Sequence, residues 1–323
     1  MPDVITLGEL IIDFVSTQED VSLKDAPGFA KAPGGAPANV AVGVVRLGRS
    51  AGFVGKVGDD PFGHFLADVV KTAGVDISNM SYSGEARTAL ALIAVRSDGS
   101  KDLFFYRNPG ADMTLGPDDF SDDYIKSAKA FHFGSISLID ESPREATLHA
   151  VSVARESGLL ISYDPNYRPT LWPSEDEARA RMPSVIEHCD LVKISEEEFE
   201  VVTGTDDFEK GCADVLAAGP KLVIVSMGEK GCFYKSAGGS GQIPPFQVDV
   251  AETIGAGDGF TAAVLVQLLD EVDAGAQLAA IPNDKIESIL RFANAVGALT
   301  CTQVGAIPAL PTREEAERFL SLK

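Results

Sequence analysis

The stretch Glu252-Thr253-Ile254-Gly255-Ala256-Gly257-Asp258-Gly259-Phe260 runs directly into the apolar segment 261–266. Three small residues therefore precede a carboxylate at the point where a helix is predicted to begin. Without side chains in the way, the backbone N–H groups of residues 255–257 can converge on an anion, and the positive end of the helix adds to that attraction. Asp258 is then a base beside a site for negative charge, as phosphoryl transfer to a hydroxyl requires. Glycine-rich turns also open many ordinary helices, so the stretch alone favours both interpretations equally.

The composition bounds the class of protein. A chain of 323 residues with 45% hydrophobic and 23% charged residues is typical of a globular protein with ample core. Its four cysteines show no Cys-x-x-Cys pairing and no disulfide-like density, which favours a reducing compartment. The N-terminus has no basic leader, and no apolar run approaches the roughly 18 residues of a membrane span. A cytoplasmic protein without a membrane segment is expected.

The formal net charge of −21 argues against nucleic acid or an anionic membrane as a partner. The acids are scattered, so the charge is interpreted as a solubility feature, with adaptation to salt left open. A protein this acidic must concentrate positive potential locally if it handles an anionic ligand. The turn at residues 255–257 is one way to do so.

The order of elements predicts an α/β fold. Short apolar strands alternate with amphipathic helices, which is the signature of an open, mostly parallel sheet with helices on both faces. The pattern Ser142-Pro143-Arg144-Glu145 predicts a capping box at the start of one helix. Ser97-Asp98-Gly99-Ser100 predicts a hairpin turn within an otherwise βα chain. A small β-lid formed by about 14–33 and 87–108, on a single domain spanning 1–323, accounts for the irregular segments.

Several polar residues follow predicted strands, where ligands bind in open α/β sheets. Gly34 and Gly35 allow a close approach to the backbone, and Asn39 offers a donor and an acceptor to hydroxyls. Asp13, at the end of an apolar run, can accept two hydrogen bonds from a polyol. For Asp13 an ordinary exposed loop is an equal alternative, and for residues 34–39 the residues alone favour an ordinary strand-to-helix turn with Asn39 as a cap.

Arginines and an acidic run supply the candidates for phosphate and metal. Arg168, after Asp164-Pro165-Asn166, and Arg107, at the exit of the hairpin, each have the planar fork that matches phosphate oxygens. Glu198 could organise the water around Mg²⁺, although an acidic first helical turn is also favoured by the helix dipole. The sequence lacks the P-loop, zincin and α/β-hydrolase motifs, so those three classes are poorly supported.

Together these stretches resemble the ribokinase (PfkB) family of sugar kinases. The resemblance rests on Gly34 to Asn39, on 54–60 and on Thr253 to Ala263, and it covers nearly the whole chain. It implies a ribokinase-like fold with a β-lid, ATP as phosphoryl donor, Mg²⁺ and a sugar hydroxyl as acceptor. Within the family, the stretches 8–14 and 105–112 are most similar to fructokinases.

The resemblance also implies roles for individual residues. Asp258 would be the base, and residues 255–257 the anion hole. Asp13, Gly34, Gly35, Asn39 and Asn166 would contact the sugar, with Arg107 and Arg168 beside it. The nucleotide would lie along five residues: Ser195, Ser226, Gly228, Gly231 and Asn294.

Two departures from the family pattern concern bound cations. Glu252 stands where the family usually has Asp, at a position associated with a monovalent cation, so activation by K⁺ is left open. The family's Asn-x-x-Glu motif has Ser195 in place of Asn, while Glu198 is retained. An exposed lid sheet often finds a partner, so a homodimer through the lid is a further expectation.

Rival functions remain at this point. A kinase of the same fold could act on 2-keto-3-deoxygluconate, or on ribose or a nucleoside, and Arg107 or Arg168 could then hold an acceptor's carboxylate. A non-catalytic sugar sensor on a kinase fold is the alternative from another class. Asp258 and its glycines count against it, because a sensor has no need of the base.

Overall fold

The structure, a computed structural model, describes residues 1–96 and 101–323. Its strands in these ranges are β1 Val4–Leu7, β2 Ile11–Ser16, β3 Phe29–Gly34, β4 Ala51–Gly58, β5 Met80–Ser83, β6 Leu90–Val95, β7 Lys101–Tyr106, β8 Ala130–Gly134, β9 Leu160–Asp164, β10 Leu191–Ser195, β11 Leu222–Ser226, β12 Cys232–Ser236 and β13 Gly239–Ile243. Its α-helices are α1 Ala36–Arg46, α2 Pro61–Thr72, α3 Asp122–Lys126, α4 Glu141–Glu156, α5 Glu175–Arg181, α6 Glu196–Thr203, α7 Phe208–Ala218, α8 Ala256–Asp273, α9 Asn283–Thr300, α10 Ala306–Ala309 and α11 Arg313–Ser321.

The main sheet is open and mostly parallel. In the described residues its strand order is β13-β12-β11-β10-β9-β8-β1-β4-β5. All neighbours from β11 to β5 are parallel, whereas β12 and β13 add antiparallel pairs at one edge. Parallel strands need crossover connections, which the helices between them supply.

Helices cover both faces of this sheet. One hydrophobic cluster joins α1, α8 and α9 to one face, and a second joins α4, α6 and α7 to the other. Alternate residues of each strand enter the two clusters: in β11, Leu222 and Ile224 enter the first, and Val223 and Val225 the second. Burial on both faces explains why the strands are near-continuous apolar runs. The predicted fold class is confirmed.

Two helix starts differ in how they are capped. Asp60 caps α2 by accepting hydrogen bonds from Phe62 N and Gly63 N. The predicted capping box at Ser142 is wrong, because α4 begins at Glu141 with Asp140 as N-cap. Ser142 Oγ instead donates to the distant Leu115 carbonyl at 2.9 Å, and this tertiary partner outweighs the local pattern.

A second sheet projects from the carboxyl end of β1. Its order in the described part of the chain is β3-β2-β6-β7, with β2 and β6 parallel and the outer pairs antiparallel. These four strands are called the lid sheet below. The expected pairing of β6 with β7 is present, while the predicted turn at 97–100 lies outside the described residues. The single-domain organisation stays a prediction.

Polar residues interrupt the main sheet on the face that carries α8. Phe131 and Phe133 of β8 point into the cluster of the opposite face, so His132 between them points toward α8. The same alternation puts Asp164 of β9 and Lys193 of β10 on the α8 face. A row of buried polar side chains therefore lies beneath the beginning of that helix.

Candidate active site

A cavity of about 590 Å³ lies between the lid sheet and the carboxyl edge of the main sheet. Its volume is that of a small-molecule site. Its lining includes predicted site residues from four segments: Asp13, Gly35, Asn166, Arg168, Gly255, Gly257 and Asp258. The inner face of the lid sheet adds Ile11, Ala91, Ile93, Leu103 and Phe105. The topology thus brings together residues more than 200 positions apart.

The turn before α8 has the geometry expected of an anion site, with one difference. Gly255 is the N-cap and has a φ of 82°, a left-handed conformation that favours glycine. Gly255 and Gly257 line the cavity, and the first turn leaves amides without helical partners. The amide of Ala256 instead donates to Thr253 O at 3.3 Å. The Ala256 amide must break this long hydrogen bond within the turn before it can donate to an anion.

Asp258 lies on the cavity wall, held by a residue from the other signature of the chain. Asn39 Nδ2 donates to Asp258 Oδ2 at 2.7 Å. Desolvation raises the pKa of Asp258 to about 6, and the negative charge of Asp164 adds to this, while the Asn39 hydrogen bond and the Lys193 charge oppose it. The carboxylate is therefore ionised at neutral pH and more basic than an exposed aspartate.

The sugar-side candidates surround the same space. Asn39 Oδ1 is buried and has no hydrogen-bond partner among the described residues, so it is an acceptor available to a ligand hydroxyl. Gly34 packs directly against Asp13, since a Cβ added there would lie 2.3 Å from Asp13 Oδ2. Asn166 has a φ of 46°, and its backbone N–H donates to Asp164 Oδ1 at 3.2 Å. Arg168 Nη1 donates to Tyr167 O at 3.2 Å.

Arg107 does not line this cavity, in contrast to the expectation from sequence. It is 8% exposed and lies in a small adjoining cavity. Its Nε donates to Asp112, and Nη1 lies 3.5 Å from Asp140 Oδ2. A buried guanidinium needs such partners, and these two carboxylates already supply them.

The two residues predicted to bind metal already accept hydrogen bonds from backbone amides. Glu198 is 4% exposed and accepts from two backbone amides, Ser195 N at 2.7 Å and Tyr167 N at 2.6 Å. It therefore caps α6 and holds the loop after β9. Glu252 Oε2 accepts from Gly305 N at 2.6 Å. Within the described residues, no group of three or more His, Cys, Asp or Glu side chains could hold a metal ion.

The predicted nucleotide residues lie outside the cavity lining. Ser195 and Ser226 are register partners at the carboxyl ends of β10 and β11. Gly228 and Gly231 follow in the next turn, with φ values of 54° and 87°. Asn294 Nδ2 donates to Pro244 O at 3.1 Å. They form a neighbouring region of the same sheet edge.

Glu9 and Lys193 are among the cavity residues that sequence reasoning missed. Glu9 lines the cavity, accepts from Ala36 N at 3.1 Å, and burial raises its pKa to about 7. Lys193 lines it from β10 and donates to Asp164 Oδ2 at 2.9 Å. The available signal was a lysine within an apolar strand of buried length, because lysine is almost never fully buried without a partner.

The open, mostly parallel sheet, the lid sheet and the cavity between them are those of a ribokinase-like phosphotransferase. The model of the pfkB family carbohydrate kinases matches residues 1–313, so the chain belongs to that family. The predicted family and enzyme class are confirmed. Among the described helices, none is long and apolar enough to cross a lipid bilayer.

Known proteins resemble the chain over nearly its full length. A probable fructokinase-4 of Arabidopsis thaliana is 48% identical over 320 residues, which cover 98% of this chain and 96% of the relative. A fructokinase from Xylella fastidiosa, solved with bound ATP, has a TM-score of 0.90 at 32% identity and covers 100% of this chain and 99% of its own. A fructokinase from Vibrio cholerae, solved with fructose, ADP and calcium ion, has a TM-score of 0.85 at 30% identity. The match covers 98% of this chain and 99% of the Vibrio cholerae chain.

Proposed function

We propose that this protein is an ATP-dependent fructokinase that transfers the γ-phosphoryl group of ATP to the 6-hydroxyl of D-fructose. The observation that carries the proposal is the position of Asp258, hydrogen-bonded to Asn39 at the start of α8 and beside the amides of Gly255 and Gly257. The relatives named as fructokinases support the choice of sugar.

The reaction follows from that geometry. The fructose oxygen forms a bond to the γ-phosphorus while the bond from phosphorus to the β,γ-bridging oxygen breaks, and ADP leaves with the electron pair. Asp258 accepts the hydroxyl proton, and its pKa of about 6 keeps it ionised before the step at neutral pH. Amides at the start of α8, at residues 255–257, stabilise charge on the transferring group.

The sugar is held from two sides. The sugar has Asp13, Gly34 and Gly35 on its lid side, and Asn39 and Asn166 on the opposite side. The Asn39 Oδ1 acceptor, which has no hydrogen-bond partner in the described part of the chain, supports this assignment. The apolar inner face of the lid sheet excludes water when the lid sheet closes, which limits wasteful hydrolysis of ATP.

The nucleotide extends from the anion site along the sheet edge. Its β- and γ-phosphates lie beside Arg168, whose side chain lines the cavity. The remainder follows the ends of β10 and β11, where the five candidates are Ser195, Ser226, Gly228, Gly231 and Asn294. ATP bound to the Xylella fastidiosa enzyme supports this donor.

The described residues do not fit an all-protein Mg²⁺ cage. Both oxygens of Glu198 accept backbone hydrogen bonds, so this residue orders the loop after β9 and is not offered as a direct ligand. Mg²⁺ commonly binds with few protein ligands and through substrate phosphates. When bound in this way it supplies neutralising charge to the phosphates.

A monovalent cation beside Glu252 is part of the proposal. Glu252 connects the segment before α8 to the end of α9, since its amide donates to Cys301 O at 3.2 Å and its carboxylate accepts from Gly305 N. Turnover measured with KCl replaced by tetramethylammonium chloride tests this site. Equal turnover in both salts would exclude K⁺ activation.

We also propose that the protein is cytoplasmic and that two copies pair through the lid sheet as a homodimer. Phe104 and Tyr106 of the edge strand β7 are 55% and 60% exposed, an apolar patch of the kind that pairs with another chain. Sedimentation equilibrium of the wild type and of the variant F104K/Y106K tests it. A wild-type monomer at micromolar concentration would contradict it.

A coupled ADP-release assay over ketoses, aldoses, 2-keto-3-deoxygluconate and nucleosides tests the function. Fructose is expected to give the highest kcat/KM, with a product that carries phosphate at O6. A higher kcat/KM for the keto-acid would reassign the acceptor. Sugar binding without ADP release from any acceptor would instead identify a sensor.

A further inference from the structure

Lys193 is a buried cation in the middle of an apolar strand. It is 7% exposed, and its neighbours in β10 are the buried Val192 and Ile194. Taking an ammonium group out of water costs several kcal/mol unless it gains a partner. Asp164 of β9 supplies one, at 2.9 Å from Nζ.

The ammonium group of Lys193 lies directly beneath the anion site. A Cβ added to Gly257 would lie 3.3 Å from Lys193 Nζ. Lys193 also lines the cavity together with Gly255, Gly257 and Asp258. The ammonium and the amides of the helix start therefore face the same space.

The charges around Lys193 would oppose the binding of a polyanion if this cation were absent. Lys193 interacts with the charges of three carboxylates, those of Asp164, Glu198 and Asp258. Burial acts to lower the pKa of Lys193, but these carboxylates, Asp164 first, raise it above its ordinary value. Lys193 is thus protonated, and it offsets an excess of negative charge at the place where a triphosphate must bind.

We propose that Lys193 is a catalytic cation of this site, which turns from Asp164 toward the transferring phosphoryl group as ATP binds and balances the charge on that group. The proposal rests on the kinase function proposed above. In the transfer step Lys193 keeps its proton and forms no covalent bond. The proton of the sugar hydroxyl still goes to Asp258.

A purely structural role for Lys193 is the rival interpretation. Asp164 also accepts from Thr261 Oγ1 at 3.3 Å and from Asn166 N, so it connects β9 to α8 and to the following loop. Lys193 could then serve only to neutralise Asp164. The two roles separate when both charges are removed, because the double variant K193M/D164N lacks both members of this ion pair and therefore leaves no Asp164 charge to neutralise.

The experiment compares K193M, D164N and K193M/D164N by thermal unfolding and by steady-state kinetics with fructose and ATP. K193M is expected to lose stability and to lower kcat by about 10²–10³, the effect of removing one stabiliser of developing charge. The double variant is expected to regain stability while its kcat stays low. K129Q removes a half-exposed lysine paired with Asp273 and is the matched control, with unchanged kcat.

The acid limb of the pH profile gives a second readout. The groups that act on Asp258 are Asn39 from α1, Asp164 from β9, Lys193 from β10 and Arg168 from the loop after β9. Because Lys193 lowers the pKa of Asp258, its loss in K193M should move the acid limb above pH 6. An acid limb at the same pH in the double variant and in D164N would show that the charge of Lys193 does not act on Asp258, and would overturn the position of this cation beside the reacting groups.

Recovery of kcat in the double variant to within tenfold of D164N would overturn the proposal, as would a K193M kcat within tenfold of wild type. Calorimetric titration with β,γ-imido ATP and with ADP distinguishes a failure of the Lys193 proposal from a failure of the proposed kinase function. If the wild type phosphorylates no sugar, weaker triphosphate binding by the double variant than by D164N, with ADP binding unchanged, still supports Lys193. Equal triphosphate affinities of those two variants would then overturn it.

Discussion

Replacing Asp258 by asparagine should make the protein more stable and almost inactive. The raised pKa of Asp258 means that its ionisation opposes folding: an ordinary value of 3.8 against about 6 corresponds to about 3 kcal/mol at neutral pH. This cost is fully present above pH 6 and disappears below about pH 4. The amide oxygen of asparagine can still accept from Asn39 Nδ2, although that hydrogen bond loses its charge assistance. The net gain expected for Asp258→Asn is about 1–3 kcal/mol.

Turnover should fall in the same variant by about two to four orders of magnitude, the contribution of a general base. Urea unfolding at pH 8 and pH 5, combined with the ADP-release assay, measures both effects. The stability gain should shrink as the pH falls. Asp123→Asn is the control, since that carboxylate is 93% exposed and its loss should change neither quantity. A kcat within tenfold of wild type, or a variant less stable than wild type at pH 8, would refute the reasoning.

Three further predictions concern the cavity and its surroundings. The kcat/KM of the wild type should fall below pH 6 with a slope of one, because Asp258 must be ionised. Gly34→Ala should raise the KM for fructose at least about tenfold and the KM for ATP less, since the new Cβ displaces Asp13. Arg107→Ala should destabilise the fold by about 3–5 kcal/mol, because it leaves the buried carboxylate of Asp112 without its cation.

Each of these has a contrary outcome. A kcat/KM that is flat down to pH 5 would mean that Asp258 does not titrate with a raised pKa. For Gly34→Ala the matched control is Gly84→Ala, whose Cβ meets nothing within 4 Å, and equal effects of the two would exclude the Asp13 contact as the cause. If Arg107→Ala has unchanged thermal stability and a raised KM for ATP, Arg107 binds phosphate, as expected from the sequence.

The sequence was sufficient where the chemistry is local. The glycines before Asp258 and the helix after them lie within one turn of each other, so the start of α8 could be predicted without knowledge of the fold. The alternation of strands and helices was likewise readable, because burial of both sheet faces produces long apolar runs. Asn39 was expected to bind the sugar, but its hydrogen bond to Asp258 spans 219 positions and was not predictable.

The sequence was insufficient where a side chain has a distant partner. The role of Glu198 in organising water around Mg²⁺ stays a prediction, but its hydrogen bond from Tyr167 N, 31 positions earlier, leaves no local pattern and was not foreseen. Arg107 was expected to bind phosphate, but its carboxylate partners Asp112 and Asp140 lie 5 and 33 positions away, and only the fold brings the second of them to the guanidinium. Lys193 received no role, although a lysine inside a buried strand is itself a sign of a paired charge.

The central claim is that the phosphoryl group passes between ATP and the sugar at the start of α8. A crystal structure with fructose, ADP and aluminium fluoride tests it most directly. We expect the fluoride group to contact the amides of Gly255 and Gly257, with the fructose O6 within about 2.6–3.2 Å of an Asp258 oxygen. A fluoride group bound away from that turn, or an O6 beyond hydrogen-bond reach of Asp258, would contradict the account.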